Sequence, residues 1–97
     1  MQLRWLKRAL NNLDDEAAYI ARDDVGAAGR MVERIASAVQ QLASHPALGR
    51  PGRVPGTREL VISDTPYLVP YRIRGDTVEV LRVFHGARKW PARTSWS

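Results

Sequence analysis

Most of the side chains that could bind or transform another molecule lie in one stretch, residues 57–91. This stretch contains cations, phenols, an indole and an imidazole: Arg58, Tyr67, Tyr71, Arg72, Arg82, His85, Arg88, Lys89 and Trp90. Residues 50–97 hold nine Lys+Arg against four Asp+Glu, whereas residues 1–49 hold six of each, so the second half carries the whole net charge of +5. Such a basic surface favours an anionic partner, either nucleic acid or an acidic protein segment, although it could also serve only for solubility.

Cysteine is absent, and the two histidines, His45 and His85, are separated by 40 positions with no carboxylate cluster near either. Disulfides and thiolate chemistry are therefore excluded, and we expect neither a metal site nor a cofactor. No apolar run approaches the roughly 18 residues that cross a bilayer. Residues 1–8 are not followed by the apolar segment of a secretory signal. We expect a cytoplasmic protein that does not contact a membrane.

The length of 97 residues predicts a single domain over 1–97. Two runs of apolar residues recur at helical spacing, namely Leu6, Leu10, Leu13, Ala17 and Ile20, and then Ala28, Val32, Ile35, Val39 and Leu42. They predict an antiparallel helical hairpin within residues 6–44, with a tight turn around Val25-Gly26 and with Asp24 as N-cap of the second helix. Mid-helix, residues 14–16 form an acidic run that is typical of a solvated face.

The second half is typical of β structure. Residues 57–62, 68–74 and 77–85 predict three antiparallel strands, and Gly75-Asp76 forms the hairpin turn between the last two. Pro70 cannot donate to a ladder, so we expect the middle strand to be irregular or exposed there. Residues 45–56 are rich in proline and glycine and predict a connecting loop without regular structure; residues 1–5 predict a short strand, and residues 92–97 a tail.

The expected architecture is therefore α+β: a short N-terminal strand, an antiparallel helical hairpin that covers one face of the sheet, and a three-stranded antiparallel sheet. Alternation along the last strand divides its side chains between two faces. One face would carry Val78, Val80, Arg82 and Phe84, and the other Leu81, Val83 and His85. Both sets are largely apolar, so alternation leaves open which set the helices cover.

Three segments resemble the RelE/ParE superfamily of toxins from bacterial type II toxin–antitoxin modules. They are ASHPALGRPGRVPGTREL, PYLVPYRI and VEVLRVFHGARKWP, of which PGTREL and RVFHGARKWP are the most specific. The resemblance covers about residues 2–91 and implies a growth-inhibiting protein. It also implies a cognate antitoxin, acidic and with a DNA-binding N-terminal half, that holds the toxin inactive.

The superfamily has two branches with different targets. The ParE-like branch implies inhibition of DNA gyrase without chemistry, whereas the RelE-like branch implies cleavage of ribosome-bound mRNA. Cleavage would need a group that exchanges protons and cations that hold the phosphate; His85 suits the first role, and Arg82 and Arg58 suit the second. Many RNA-cleaving relatives carry a tyrosine beyond the last strand, and this chain has none after Tyr71, which favours the ParE-like branch.

The remaining candidates, Tyr67, Tyr71, Arg72, Arg88, Lys89 and Trp90, are expected to bind the target or the antitoxin. Structural roles compete with these functions. Arg82 could pair with Glu59 or Glu79, His85 could pack at a strand end, and one of the two tyrosines could belong to the core. A third hypothesis is a degenerate toxin that only binds its antitoxin.

Overall fold

The computed structural model describes residues 1–86, and the predicted α+β class is confirmed. In chain order the elements are β1 (Gln2–Trp5), α1 (Lys7–Ala21), α2 (Val25–Gln40), β2 (Arg50–Pro51), β3 (Arg58–Val61), β4 (Tyr67–Arg74), β5 (Thr77–Val80) and β6 (Phe84–His85). A short 3-10 turn, Gln41–Ala43, extends α2. The strands form one sheet in the order β1-β5-β4-β3-β2, and β6 also pairs with β4.

The predicted N-terminal strand is present, and its partner explains its place in the fold. β1 pairs in parallel with β5, from Gln2 opposite Thr77 to Trp5 opposite Val80. All other pairs are antiparallel, including the hairpin of β4 and β5, which turns at Gly75-Asp76 as predicted. Gly75 has φ +58, a backbone conformation that glycine adopts without steric cost.

The helical hairpin covers one face of the sheet, and its second helix agrees closely with the predicted stripe. Asp24 is the N-cap of α2, because its carboxylate accepts a 3.0 Å hydrogen bond from the amide of Ala27. Ile35, Val39 and Leu42 are fully buried against the sheet. The predicted turn position was wrong: the chain reverses over residues 22–24, and Val25 already begins α2.

The buried stripe of α1 is displaced from the predicted one. Ala9, Leu13 and Glu16 are buried, whereas Leu10 is 45% exposed. The expectation that Glu16 belongs to a solvated acidic face was therefore wrong. Spacing alone could not detect this, because a carboxylate enters a core only where a specific partner compensates its desolvation.

The predicted third strand is interrupted by one extra residue. Tyr71 lies opposite Val80, and an uninterrupted ladder would then place Leu68 opposite Val83. Leu68 instead lies opposite Phe84, so the partner strand contains one extra residue between the two pairs. A single inserted residue reverses the alternation of side chains beyond it. The predicted grouping of faces was therefore wrong: Val83 joins Val78 and Val80 in the core under the helices.

The structure differs from the prediction in two further places, at Pro70 and at residues 50–51. β4 continues through Pro70, which is buried, and its carbonyl accepts a 2.9 Å hydrogen bond from the amide of Leu81. The N and O atoms of one residue in an antiparallel strand point to the same neighbouring strand. The position where Pro70 lacks an N–H therefore faces the interruption between β5 and β6. The predicted loop over residues 45–56 also contains a strand, β2, which pairs with β3.

Candidate functional site

Tyr71 and Arg58 hold the loop that precedes β2 against the end of the sheet. Tyr71 is fully buried; its hydroxyl accepts a 2.8 Å hydrogen bond from the amide of Gly49 and donates a 2.7 Å bond to the carbonyl of Pro46. Burial raises the pKa of this phenol, which keeps the hydroxyl protonated. The Arg58 guanidinium donates to the carbonyl of Gly49 at 2.7 Å. Both predicted site residues thus have a structural role here.

A buried carboxylate holds the next part of the same loop. Glu59 is 2% exposed, and its Oε1 lies 3.2 Å from Nη2 of Arg50. Its Oε2 accepts a 3.0 Å hydrogen bond from the amide of Arg53. Glu59 was one of the two carboxylates that the sequence offered to Arg82; in the structure it forms its ion pair with Arg50.

A groove of about 830 Å³ runs between α2 and β3. Three arginines from two segments line it, Arg30, Arg34 and Arg50, together with Glu33. The apolar side chains of Leu48 and Val61 also line it and are 51% and 49% exposed. The groove therefore combines positive charge with accessible apolar surface.

Arg34 of this groove also contacts the turn that follows β3. Its Nε donates a 2.8 Å hydrogen bond to the carbonyl of Ser63, and its Nη2 lies 3.1 Å from Oδ2 of Asp64. These bonds join α2 to the turn between β3 and β4. Arg30 and Arg34 were not predicted as site residues; their separation of four residues, which places both on one side of a helix, was the available signal.

The sheet face that the helices leave uncovered carries a second group of arginines, here called the arginine face: Arg4, Arg72, Arg74 and Glu79. Arg72 donates from Nε to Oε1 of Glu79 at 2.7 Å, whereas Arg4 and Arg74 each approach this carboxylate at 3.8 Å. The bond from Arg72 is the main cause that lowers the pKa of Glu79, and the three positive charges act in the same direction. Arg72 was predicted as a binding residue, whereas Arg4 and Arg74 were not.

The lowered pKa of Glu79 predicts a pH dependence of stability. A carboxyl whose folded-state pKa is depressed stabilises the fold above its unfolded pKa, near 4.5 here, and this contribution is lost as the pH falls through the folded value. We expect Glu79→Gln to be less stable than the wild type at pH 7, and the difference to shrink on acidification. Urea unfolding between about pH 7 and pH 2.5 measures it; a difference that stays constant would contradict the prediction.

The other predicted catalytic residues lie around the interruption between β5 and β6. The Arg82 guanidinium stands 5.4 Å from the centre of the Phe84 ring, and burial, with a smaller effect of Arg8, lowers its pKa. His85 meets the ring of Tyr67 edge-on, with centroids 5.5 Å apart. The Tyr67 hydroxyl in turn donates to Oε1 of the buried Glu16 at 3.4 Å.

These contacts show how the core uses both tyrosines. Tyr67 is 5% exposed and Tyr71 is not exposed at all, although alternation had favoured a core role for only one of them. Glu16 completes the Tyr67 contact from α1, which sequence reasoning did not detect. His85 also packs at its strand end, which is the structural role considered above.

The structure does not bring Arg58 and His85 together. Arg58 lies opposite Tyr71 on one side of β4, whereas His85 lies opposite Tyr67 on the other side. Four residues along a strand correspond to about 13 Å. A cation and a proton-transferring group that act on one phosphate must each lie within hydrogen-bonding reach of it. Arg82 lies on the same side of β4 as His85. Of the three predicted catalytic residues, Arg58 is therefore separated from the other two.

Other expectations fall on residues that the structure leaves out. Arg88, Lys89 and Trp90 lie outside the described residues, as do the end of the predicted sheet segment and the tail 92–97. Within residues 1–86, no group of three His, Asp or Glu side chains is placed to hold a metal ion. No helix in this range has the length and apolar character needed to cross a bilayer.

Comparison with known proteins agrees with this architecture. Residues 3–90 match the sequence model of the ParE toxin of type II toxin-antitoxin system, parDE. The chain is 54% identical to the protein Y4kP of Sinorhizobium fredii over 90 residues, covering 93% of both chains. It is also 36% identical to toxin RelE2 of Caulobacter vibrioides over 87 residues, covering 90% of this chain and 97% of the relative.

A solved structure extends the likeness to the fold. A chain of the chromosomal ParDE toxin–antitoxin system from P. aeruginosa superposes with a TM-score of 0.79 and 30% identity. The match covers 88% of this chain and 95% of the other. The strand, helical hairpin and antiparallel sheet that the sequence predicted are thus shared with a ParDE protein, and the chain belongs to the ParE toxin family of type II toxin–antitoxin systems.

Proposed function

We propose that this toxin arrests bacterial growth by binding DNA gyrase and inhibiting it through contact, without a chemical step of its own. The match of residues 3–90 to the ParE family carries the proposal. The separation of Arg58 from His85 supports it, because an enzyme that cleaves RNA needs its cations and its proton-transferring group around one phosphate.

A cognate antitoxin is the second partner that we propose, and the groove between α2 and β3 is the surface that suits it. An acidic amphipathic segment could place apolar side chains on Leu48 and Val61 and carboxylates near Arg30 and Arg34. Protein interfaces need such apolar contacts for affinity, whereas complementary charge adds specificity and speed of association.

Two single substitutions of opposite charge test this docking surface. Arg30→Glu removes a cation from the groove and is expected to weaken antitoxin binding about tenfold, that is by about 1.4 kcal/mol. Glu33→Lys, one helical turn further, removes the repulsive carboxylate and is expected to strengthen binding by a smaller factor. Titration with the antitoxin co-expressed from the same module measures both effects. Equal effects of both substitutions would contradict this surface.

Cleavage of ribosome-bound mRNA is the alternative function. The similarity to toxin RelE2 favours it, as do the contacts that join Glu16, Tyr67 and His85. In this alternative His85 would exchange protons, while Arg82 and a residue other than Arg58 would hold the phosphate.

Two assays with one protein preparation separate these functions. We expect the purified toxin to inhibit supercoiling by gyrase and to leave a reporter mRNA on ribosomes uncut in primer extension. The Arg82→Ala/His85→Ala variant should retain the inhibition if it folds. Cuts that appear only with the unaltered protein would establish the ribonuclease instead. A protein that is inactive in both assays, and that does not slow growth when it is expressed without antitoxin, would be the degenerate toxin of the third hypothesis.

A further inference from the structure

We propose that the arginine face binds the phosphodiester backbone of duplex DNA while the toxin is docked on its target. The inference rests on the proposed function, because an inhibitor bound to DNA gyrase lies beside the DNA on which that enzyme acts. It assigns a role to Arg4 and Arg74, which neither the core nor the groove uses.

The register of the sheet places these side chains in two adjacent rows. Arg72, Glu79 and Arg4 lie directly opposite one another on β4, β5 and β1. Arg74 and Gln2 flank Thr77 in the next row. Leu3 and Trp5 pack against the core, so that Arg4, which stands between them, points to the uncovered face. Arg72 and Arg4 are separated by two strand spacings, about 10 Å.

The arginines of this face differ in how they are used. Arg72 is held by its short bond to Glu79, and its side chain is 23% exposed. The side chains of Arg4 and Arg74 are 69% and 67% exposed, and their 3.8 Å approach to Glu79 is too long for a hydrogen bond. Three cations surround one carboxylate, so the face has a net charge of +2. Glu79 offsets part of the repulsion among the three arginines and positions Arg72.

The chemistry of the face favours phosphate over a protein segment. Among the described residues, the two rows present only arginine, glutamine, threonine and glutamate there, with no apolar side chain. A protein partner gains most of its affinity from buried apolar and aromatic contacts, which this face does not provide. Contacts to a nucleic-acid backbone come mainly from arginine, lysine and polar side chains, and duplex DNA offers one charge per about 1.7 Å of its axis.

The position of the face allows both partners to bind at once. The groove lies beside β3, near the β2 edge of the sheet, and on the side where α2 packs. The arginine face lies on the opposite side and toward the β1 edge. An antitoxin segment in the groove therefore leaves the arginine face accessible.

Binding of a duplex DNA of about 30 base pairs, measured by fluorescence anisotropy at several salt concentrations, tests the inference. The variant is Arg4→Ala/Arg74→Ala, which keeps the pair of Arg72 and Glu79. The matched control is Lys7→Ala/Arg22→Ala, which removes the same charge at the two ends of α1 and outside the two rows of the arginine face. We expect the face variant to lose at least about tenfold in affinity and its salt slope to fall by about 1.8, and the control to lose less than about twofold.

Three outcomes would overturn the inference: equal losses in both variants, which would show an effect of net charge only; no binding by the wild type; or a face variant that loses affinity for the antitoxin but not for DNA. Both variants should remain folded, with a single cooperative unfolding transition. Supercoiling assays with the same proteins keep the two proposals distinguishable. A wild type that binds DNA through this face but does not inhibit gyrase would refute the proposed target and leave the DNA surface in place.

Discussion

Replacing Tyr71 with alanine is expected to lower the free energy of unfolding by about 3–5 kcal/mol, which is a large part of the 5–15 kcal/mol typical of a domain. The ring is fully buried in the centre of the sheet, so its removal leaves a cavity. The substitution also leaves the amide of Gly49 and the carbonyl of Pro46 without their bonds to the phenol. Urea unfolding followed by circular dichroism measures the loss.

Tyr71→Phe separates the hydroxyl from the ring. It retains the packing and removes only the two hydrogen bonds, so we expect a loss of about 1–3 kcal/mol. Tyr19→Phe is the control, because Tyr19 is 59% exposed and should change the stability by less than about 0.5 kcal/mol. A Tyr71→Phe protein as stable as the wild type would contradict the role of the hydroxyl. A Tyr71→Phe protein that still arrests growth would also refute the predicted role of this hydroxyl in target binding.

Replacing Gly49 with alanine is expected to destabilise the protein by about 3 kcal/mol, although only one methyl group is added. A Cβ at this position would lie 2.6 Å from Cε1 of Tyr71 and 2.9 Å from the backbone oxygen of Glu59. The strand carbonyl cannot move away, so the loop must shift and lose its bonds to Tyr71 and Arg58.

Gly29→Ala is the matched control, for which we expect the free energy of unfolding to rise and not to fall. Gly29 lies inside α2, and a Cβ there would meet no atom within 4 Å apart from its chain neighbours and the backbone of its own helix, so alanine should stabilise the helix by about 0.5–1 kcal/mol. The cost of Gly49→Ala should also fall in a Tyr71→Ala background, because the ring that it meets is absent. An undiminished cost there would show that the clash with Tyr71 is not the cause.

The loop before β2 shows why part of the site escaped sequence reasoning. Proline and glycine over residues 45–56 indicated the connection between the helices and the sheet but not the strand β2 within it. Local composition also does not show which distant groups satisfy the loop's polar atoms. Tyr71 reaches Gly49 across 22 positions in sequence. From their residue types, Tyr71 was therefore predicted to bind a partner and Arg58 to hold the phosphate in the ribonuclease alternative. In the structure both residues hold the loop against the sheet.

The extra residue between β5 and β6 had the largest consequence for the predicted site. Residues 77–85 have a continuous β pattern, and nothing in their composition marks the interruption. Because alternation has a period of two, one inserted residue exchanges the two faces beyond it. His85 consequently meets Tyr67, and Val83 turns to the core. The one local indication was Pro70, which lacks the donor that a regular partner strand would need.

The sequence by itself determined the class of fold, the two helices with the Asp24 cap, the hairpin turn at Gly75-Asp76 and the basic character of the second half. These features depend on local periodicity, capping, turn chemistry and composition, which neighbouring residues express without reference to the rest of the chain. Only the tertiary structure decided the parallel pairing of β1 with β5, which places Arg4 opposite Glu79. The division of Arg58 from His85 and the burial of Glu16 were decided in the same way, because register and buried polar contacts join residues far apart in sequence.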